Sequence, residues 1–270
     1  MIYYVNGKYI DSSKAHISIG DAGFLYGDGL FETMRFDNRK IFSSLKHIKR
    51  LQKGLEIVNL EINYNQNSLL NLLDSIIEKN NLDSGIIRLM ITRGDINERE
   101  EIPSIVIVIK PFYDIPKNPV KVLYLEEEKF PIIRFTPAIK SMNYIGNMLD
   151  KNFADSKGAF EPVFYNKNKI ITECAIRNIF YIKDGQVLTP SLDLGILSGV
   201  MRETIIDLVQ SMGFKFNESH ISYNDITDME EAFITSTGIG LLPCYWDGWN
   251  SKFHITKSIK KELFKRINNS

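Results

Sequence analysis

The chain has 270 residues, enough for one large or two modest domains, and two are expected. Its 33 basic and 33 acidic side chains cancel to a formal net charge of zero, with no long block of one sign, which counts against a nucleic acid or an anionic membrane as a partner held by charge. Cys174 and Cys244 lack the CxxC or Cys/His spacing of a metal site and suit a reducing, cytoplasmic compartment. The first residues show no export signal and no apolar run approaches the length of a membrane span, so a chain that is neither exported nor membrane-embedded is expected.

Residues 2–5 and 8–10 flank Asn6-Gly7, a dipeptide that accepts the positive φ angles of a type I′ turn, so the chain opens on a predicted hairpin. A second hairpin is expected over 30–36 and 40–42, turned at Asp37-Asn38. Leu45, Ile48, Leu51, Leu55 and Val58 recur at helical spacing, as do Leu69, Leu70, Leu73, Ile76 and Ile77, and each set predicts an amphipathic helix. Residues 86–92 and 104–110 are apolar and β-branched enough to be buried strands. Three prolines between Lys110 and Pro119 cannot donate to a ladder and mark a linker over 113–119, dividing an N-terminal α/β domain (1–112) from a C-terminal domain (120–270).

Beyond the linker, 120–125 reads as a strand and 144–156 as a helix carrying Ile145, Met148, Leu149 and Phe153. Strands crowd at 162–165, 169–173, 178–182 and 186–188, with Asp184-Gly185 turning the last pair. A helix starts near Gly199, buries Ile205, Leu208, Val209 and Met212, and is capped by Gly213. A strand at 231–236 and a terminal helix from Thr256 follow. Strands and helices mixed in both halves give an α/β (α+β) fold class.

Lys140 follows a strand-like 134–136 and Pro137 and precedes Ser141-Met-Asn-Tyr-Ile-Gly-Asn147, which leads into a helix. A lysine there can form an imine with a carbonyl cofactor, a solvated loop lysine being the ordinary alternative. Glu173 closes an apolar run where a carboxylate is expensive to bury unless paired. Opposite a pyridine nitrogen it would keep that nitrogen protonated; a pair with Arg177 or a surface turn is the plainer reading. The small residues of Gly195–Arg202 precede a helix whose first N–H groups attract phosphate, although an ordinary N-cap explains them equally. Thr235-Ser-Thr-Gly-Ile-Gly240 offers hydroxyls and amides to the same anion or forms a turn, and Arg50 offers a phosphate fork or is an exposed helix arginine.

The order of these segments is more specific than any one of them. Gly27-Asp-Gly-Leu-Phe-Glu-Thr-Met-Arg35, His47-Ile-Lys-Arg50, Lys140-Ser-Met-Asn-Tyr-Ile-Gly-Asn147, Ile171-Thr-Glu173 with Asn178-Ile-Phe180, Thr189-Pro190 and Gly195-Ile-Leu-Ser-Gly-Val-Met-Arg202 resemble the class IV aminotransferases over nearly the whole chain. The resemblance implies the two-domain fold of the D-amino-acid aminotransferase-like pyridoxal 5'-phosphate (PLP) enzymes, the C-terminal domain binding the cofactor. It implies Lys140 as imine-forming lysine, Glu173 as partner of the pyridinium, and Arg50 with the backbone amides of Val200 and Met201 as phosphate ligands. Ser236 and Thr237 match a further phosphate and substrate contact, and Phe31 and Arg99 are candidate substrate contacts. Met201 stands where many aminotransferases carry threonine, so a hydroxyl bond to phosphate is absent there. A small amino or oxo acid substrate and a homodimer are implied as well.

The run from Gly23 to Thr33 and the Gly199-Val-Met-Arg202 loop resemble 4-amino-4-deoxychorismate lyases, which release pyruvate and 4-aminobenzoate. Ser141-Met142 replaces the paired glycine of branched-chain enzymes, and residues 92–100 lack the Arg-x-His of the D-amino-acid enzymes. The lyase is favoured on this reading, although the asparagine common in lyases near Ser236 is missing. A branched-chain or D-amino-acid aminotransferase acting with a 2-oxo acid is the alternative, and a catalytically inactive PLP-binding or interaction protein the third.

Overall fold

The computed structural model describes residues 1–100 and 102–268. The chain divides into two compact units, one built mainly from Met1–Tyr113 with Ile139–Asn143, the other from Asp114–Ala138 with Tyr144–Arg266.

In the first unit, β1 (Ile2–Val5) and β2 (Lys8–Asp11) form the expected hairpin, with Asn6 and Gly7 at φ 46° and 87°. A short helix α1 (Ala22–Tyr26) is capped by Asp21, whose carboxylate accepts from the Gly23 N–H. β3 (Gly29–Asp37) and β4 (Lys40–Ile41) form the second hairpin. Its turn centres on Asn38 and Arg39, at φ 49° and 64°, one residue later than the sequence predicts, because Asp37 still pairs with Lys40 in the ladder. Helices α2 (Ser44–Ile57) and α3 (Gln66–Asn80) follow, then β5 (Gly85–Thr92) and β6 (Ser104–Lys110). The six strands run in the order β2-β1-β6-β5-β3-β4, every pairing antiparallel. Ile48, Leu51 and Leu55 of α2 and Leu69, Leu73 and Ile76 of α3 share one buried cluster with Met34 and Phe36 of β3 and Ile87 and Leu89 of β5. That apolar face locks β3 in register, since a one-residue slip would turn its core residues outward.

The segment Ile139–Asn143 lies along the start of β3. The Phe31 N–H donates to the Lys140 carbonyl (3.0 Å), the Met142 N–H donates to the Gly29 carbonyl (2.8 Å), and Ser141 bridges Leu30. The linear division at 113–119 assigns Lys140 to the C-terminal stretch, whereas these backbone bonds hold it in the first unit. Gly29 permits the approach: a Cβ there would lie 2.7 Å from the Ile91 carbonyl oxygen and 2.8 Å from the Met142 sulfur.

The second unit contains β7 (Val120–Glu126), α4 (Ile145–Ser156), β8 (Glu161–Tyr165), β9 (Ile171–Cys174), β10 (Asn178–Lys183), β11 (Gln186–Pro190), α5 (Val200–Ser211), β12 (Phe216–Ser219), β13 (Glu231–Ser236), β14 (Gly240–Tyr245) and α6 (His254–Asn268). Its eight-stranded sheet has the order β12-β11-β10-β13-β14-β7-β8-β9 and is mixed: β11–β12, β14–β7 and β7–β8 pair in parallel. The sequence reading finds neither β12, whose Phe-Asn-Glu-Ser is polar, nor β14, which contains Pro243. β7 pairs with β14 only from Cys244 on, past that proline. The apolar residues that mark α4 in the sequence lie on its outer side: Ile145 and Leu149 are 71% and 62% exposed, while Asn147, Asp150 and Ala154 are buried. Polar residues suit the inner side because the Asn147 amide donates to the Ala175 carbonyl at 2.8 Å.

Cys174 and Cys244 are free and buried. Among the described residues no helix is long and apolar enough to cross a membrane, and no group of three or more His, Cys, Asp or Glu is placed to hold a metal ion.

Candidate active site

In the first unit the backbone bonds to β3 bring the Lys140 amine to 4.5 Å from the centroid of the Phe31 ring, which also receives the Arg88 guanidinium at 4.9 Å. The π face favours a cation there. The next residue along β3, Glu32, faces the helices and is fully buried. His47 and Arg50, one turn apart on α2, both reach it. The His47 Nδ1 lies 2.7 Å from Oε2, and Arg50 makes a two-pronged contact, Nε to Oε1 at 2.7 Å and Nη2 to Oε2 at 2.6 Å.

Burial alone would push the Glu32 carboxyl up, but the Arg50 charge and the hydrogen bonds from His47 and Arg50 outweigh it and hold the pKa at about 2. For His47, burial lowers the pKa and outweighs the opposing pull of Glu32, with Arg50 and Lys140 adding to the depression. The histidine is therefore neutral at pH 7. An ionised Glu32 can only accept, so the proton sits on Nδ1. Arg50 is neither an exposed helix arginine nor an isolated fork, because one edge of its guanidinium is held by Glu32 and its side chain is 17% exposed. Arg99 is exposed in a bend after β5.

In the second unit Glu173 lies on β9, its Oε1 3.3 Å from Arg134 Nη2. Arg177, the partner considered from sequence, instead pairs with the buried Glu161. The chain bends at 175–177 between the two residues, so the strand does not continue from Glu173 to Arg177 and linear proximity does not decide the pairing. Val200 and Met201 open α5, with Gly199 as a cap that has no side chain to occupy the first N–H groups. Arg202 is drawn back to the Pro190 carbonyl (2.9 Å) and to Glu218 (2.8 Å), which anchors this first turn. The Asn178 amide donates to Thr235 at its carbonyl (3.0 Å) and hydroxyl (3.1 Å), and a Cβ on Gly199 would lie 2.3 Å from Asn178 Oδ1. Asn178 thus gathers the end of β13, and with it Ser236 and the buried Thr237, beside the start of α5.

The sequence reading gives no role to Glu32, His47, Arg134 or Asn178. A signal for the first two existed: a glutamate inside the apolar run of a strand, followed by a histidine and an arginine three residues apart on an amphipathic helix. None existed for the contact of Arg134 with Glu173, which is 39 positions away.

One unit thus carries a lysine amine over an aromatic ring, and the other a carboxylate beside an arginine and a helix that opens after a glycine. Residues 29–245 match the family model for amino-transferase class IV, and the chain belongs to this family of PLP enzymes. A D-alanine aminotransferase of Listeria innocua is 32% identical over 248 residues, covering 88% of this chain and 85% of that protein. A Methanocaldococcus jannaschii protein provisionally named a branched-chain-amino-acid aminotransferase is 30% identical over 278 residues, covering 99% and 96%. The solved structure of a branched-chain aminotransferase from Thermoproteus uzoniensis, with norvaline, has the same fold: TM-score 0.89 at 22% identity, over 100% of this chain and 96% of that one.

Proposed function

We propose that this protein is an amino-acid aminotransferase that moves an amino group from a small amino acid to a 2-oxo acid, with PLP carried on Lys140, as a cytoplasmic homodimer. The observation that carries the cofactor assignment is the Lys140 amine, fixed by backbone bonds to β3 and set 4.5 Å from the Phe31 ring. The choice of transamination is supported by two relatives of 30% identity or more, both named as aminotransferases and both matched over most of their length.

The residues present fit the cofactor's chemistry: an amine for its aldehyde, a carboxylate for its ring nitrogen, and helix amides for its phosphate. Bound PLP supplies a protonated pyridine ring that withdraws electrons from the substrate's α-carbon. In this reading Lys140 holds the cofactor and then takes and returns the α-proton. Glu173 holds the proton on the ring nitrogen. The amides of Val200 and Met201 bind the phosphate with Arg50, whose orientation Glu32 fixes. Ser236 and Thr237 contribute a further contact, the Phe31 ring orients the substrate, and Arg99 meets a substrate carboxylate.

The second reading, 4-amino-4-deoxychorismate lyase, is favoured by the resemblance of the Gly23 to Thr33 run and of the Gly199-Val-Met-Arg202 loop. The two differ in their products. Incubating the enzyme with D-alanine or L-leucine and 2-oxoglutarate should yield glutamate. Release of 4-aminobenzoate and pyruvate from aminodeoxychorismate, with no glutamate formed, would select the lyase. A visible cofactor band without either product would mark an inactive PLP-binding protein.

A further inference from the structure

We propose that Glu127 is a positioning residue: it balances the charge of Arg134 and so leaves Glu173 its negative charge for the ring nitrogen of bound PLP. The proposal rests on the assignment of Glu173 made above. Arg134 Nη2 lies 2.6 Å from Glu127 Oε1 but 3.3 Å from Glu173 Oε1, so the guanidinium is shared unequally in favour of Glu127. Thr172, which is 2% exposed, ties the arrangement together: its hydroxyl accepts from Arg134 Nη2 at 3.0 Å and donates to Glu127 Oε1 at 2.5 Å. Arg134 Nε and Nη1 are buried with no hydrogen-bond partner among the described residues, so Nη2 makes the hydrogen bonds the structure shows for this side chain.

The charges give the cluster its meaning. Arg134 with Glu173 alone would be a neutral pair, and the nearby cation would oppose a proton on the ring nitrogen. Two carboxylates and one guanidinium carry one net negative charge, which matches one pyridinium. The arginine, Glu127 and Glu173 side chains are 18%, 21% and 21% exposed, so solvent screens these interactions only in part. The other charged groups on the neighbouring strands are already paired: Glu126 with Lys129 and Lys169, and Glu161 with Arg177.

The test compares Glu127→Gln, Glu127→Asp, Arg134→Met, Thr172→Val and Glu173→Gln as holoenzymes, following the pH titration of the cofactor's visible absorption together with kcat, KM and thermal melting. Glu127→Gln leaves Arg134 under-compensated, so the titration should move to lower pH by about one unit, equivalent to a tenfold change in proton affinity. The value of kcat should fall on the order of tenfold, the scale on which outer partners of a ligating group act, with KM little changed. Glu127→Asp should restore both. Arg134→Met should move the titration the opposite way, a reversal that a purely structural role does not produce. Thr172→Val should give a smaller shift in the Glu127→Gln direction, and it carries the test if Glu127→Gln fails to melt cooperatively. Unshifted titrations in Glu127→Gln and Thr172→Val, with Glu173→Gln still impaired, would overturn the proposal alone. A Glu173→Gln enzyme with normal absorption and rate would overturn the assignment of Glu173 and the proposal with it.

Discussion

Lys140, bonded through its backbone to Phe31 of β3, and Glu32, the next residue of that strand, are held by opposite means. Lys140 is positioned by its backbone, through hydrogen bonds at residues 140 and 142, so its side chain is not needed for the segment to dock. Lys140→Ala should therefore keep the fold and abolish turnover, and borohydride reduction followed by peptide mapping should place the cofactor on Lys140 in the parent enzyme. Label on another lysine would refute the assignment. Glu32, in contrast, is held by its side chain. Its folded pKa of about 2 lies below the ordinary 4.5, so the unfolded chain takes up the proton first as pH falls. Its contribution is complete above pH 4.5 and is lost down to pH 2; a displacement of that size corresponds to about 3 kcal/mol. The buried His47 is depressed below its ordinary 6.5, so the unfolded chain also gains its proton first and stability begins to fall below that pH. Urea unfolding from neutral pH to about 3 should show this continuous loss. The fall between 6.5 and 4.5 should flatten in His47→Gln, and an unchanged slope there would exclude the histidine as its source.

At the scale of elements, the close approach of 139–143 to β3 depends on the missing side chain at Gly29. In Gly29→Ala the new Cβ would meet the Ile91 carbonyl, which belongs to the adjacent strand and cannot rotate away. A cost of about 1 to 3 kcal/mol, the range for overpacking, should appear in urea unfolding, together with weaker PLP binding because the Lys140 segment is displaced. Unchanged stability would show that the ladder yields more easily than its geometry suggests. Arg50→Ala would strand the buried Glu32 carboxylate, a loss of about 3 to 5 kcal/mol that is unrelated to phosphate. Met201 is 1% exposed, so Met201→Ala would open a cavity. Arg50→Lys and Met201→Leu avoid both problems. Titrating the apo-proteins with PLP, Arg50→Lys should lose about 1.5 kcal/mol or more, the scale of a charge-assisted hydrogen bond, and Met201→Leu much less because only its amide is used. Equal losses would refute the phosphate site.

For the whole molecule, the exposed face of α4 bears on self-association. Ile145, Met148, Leu149 and Phe153 are all exposed on one helix face, a grouping of apolar side chains that marks an interaction surface more often than chance. If the proposed homodimer uses it, Leu149→Lys should lower the mass seen by analytical ultracentrifugation from two chains to one. A dimer that persists with unchanged affinity would place the contact elsewhere.

Periodicity in the sequence was sufficient to find α2, α3 and α5, each of which buries one regular face, whereas β5, β6, β10 and β13 showed as short apolar, β-branched runs because most of their positions are buried. The order of short motifs also pointed to the family without any coordinates, as the match to the family model bears out, and named Lys140 as the candidate imine-forming lysine. Other features depended on atoms far apart along the chain. β12 and β14 are stabilised by the neighbours they pair with rather than by their own composition, and no local pattern marks them. Arg134 as the partner of Glu173, Glu161 as the partner of Arg177, and the burial of Glu32 under His47 and Arg50 were decided only when strands and helices packed. The physical reason is that a buried charge is satisfied by whichever opposite charge the packing brings within about 3 Å, and packing is a property of the fold rather than of the neighbouring sequence.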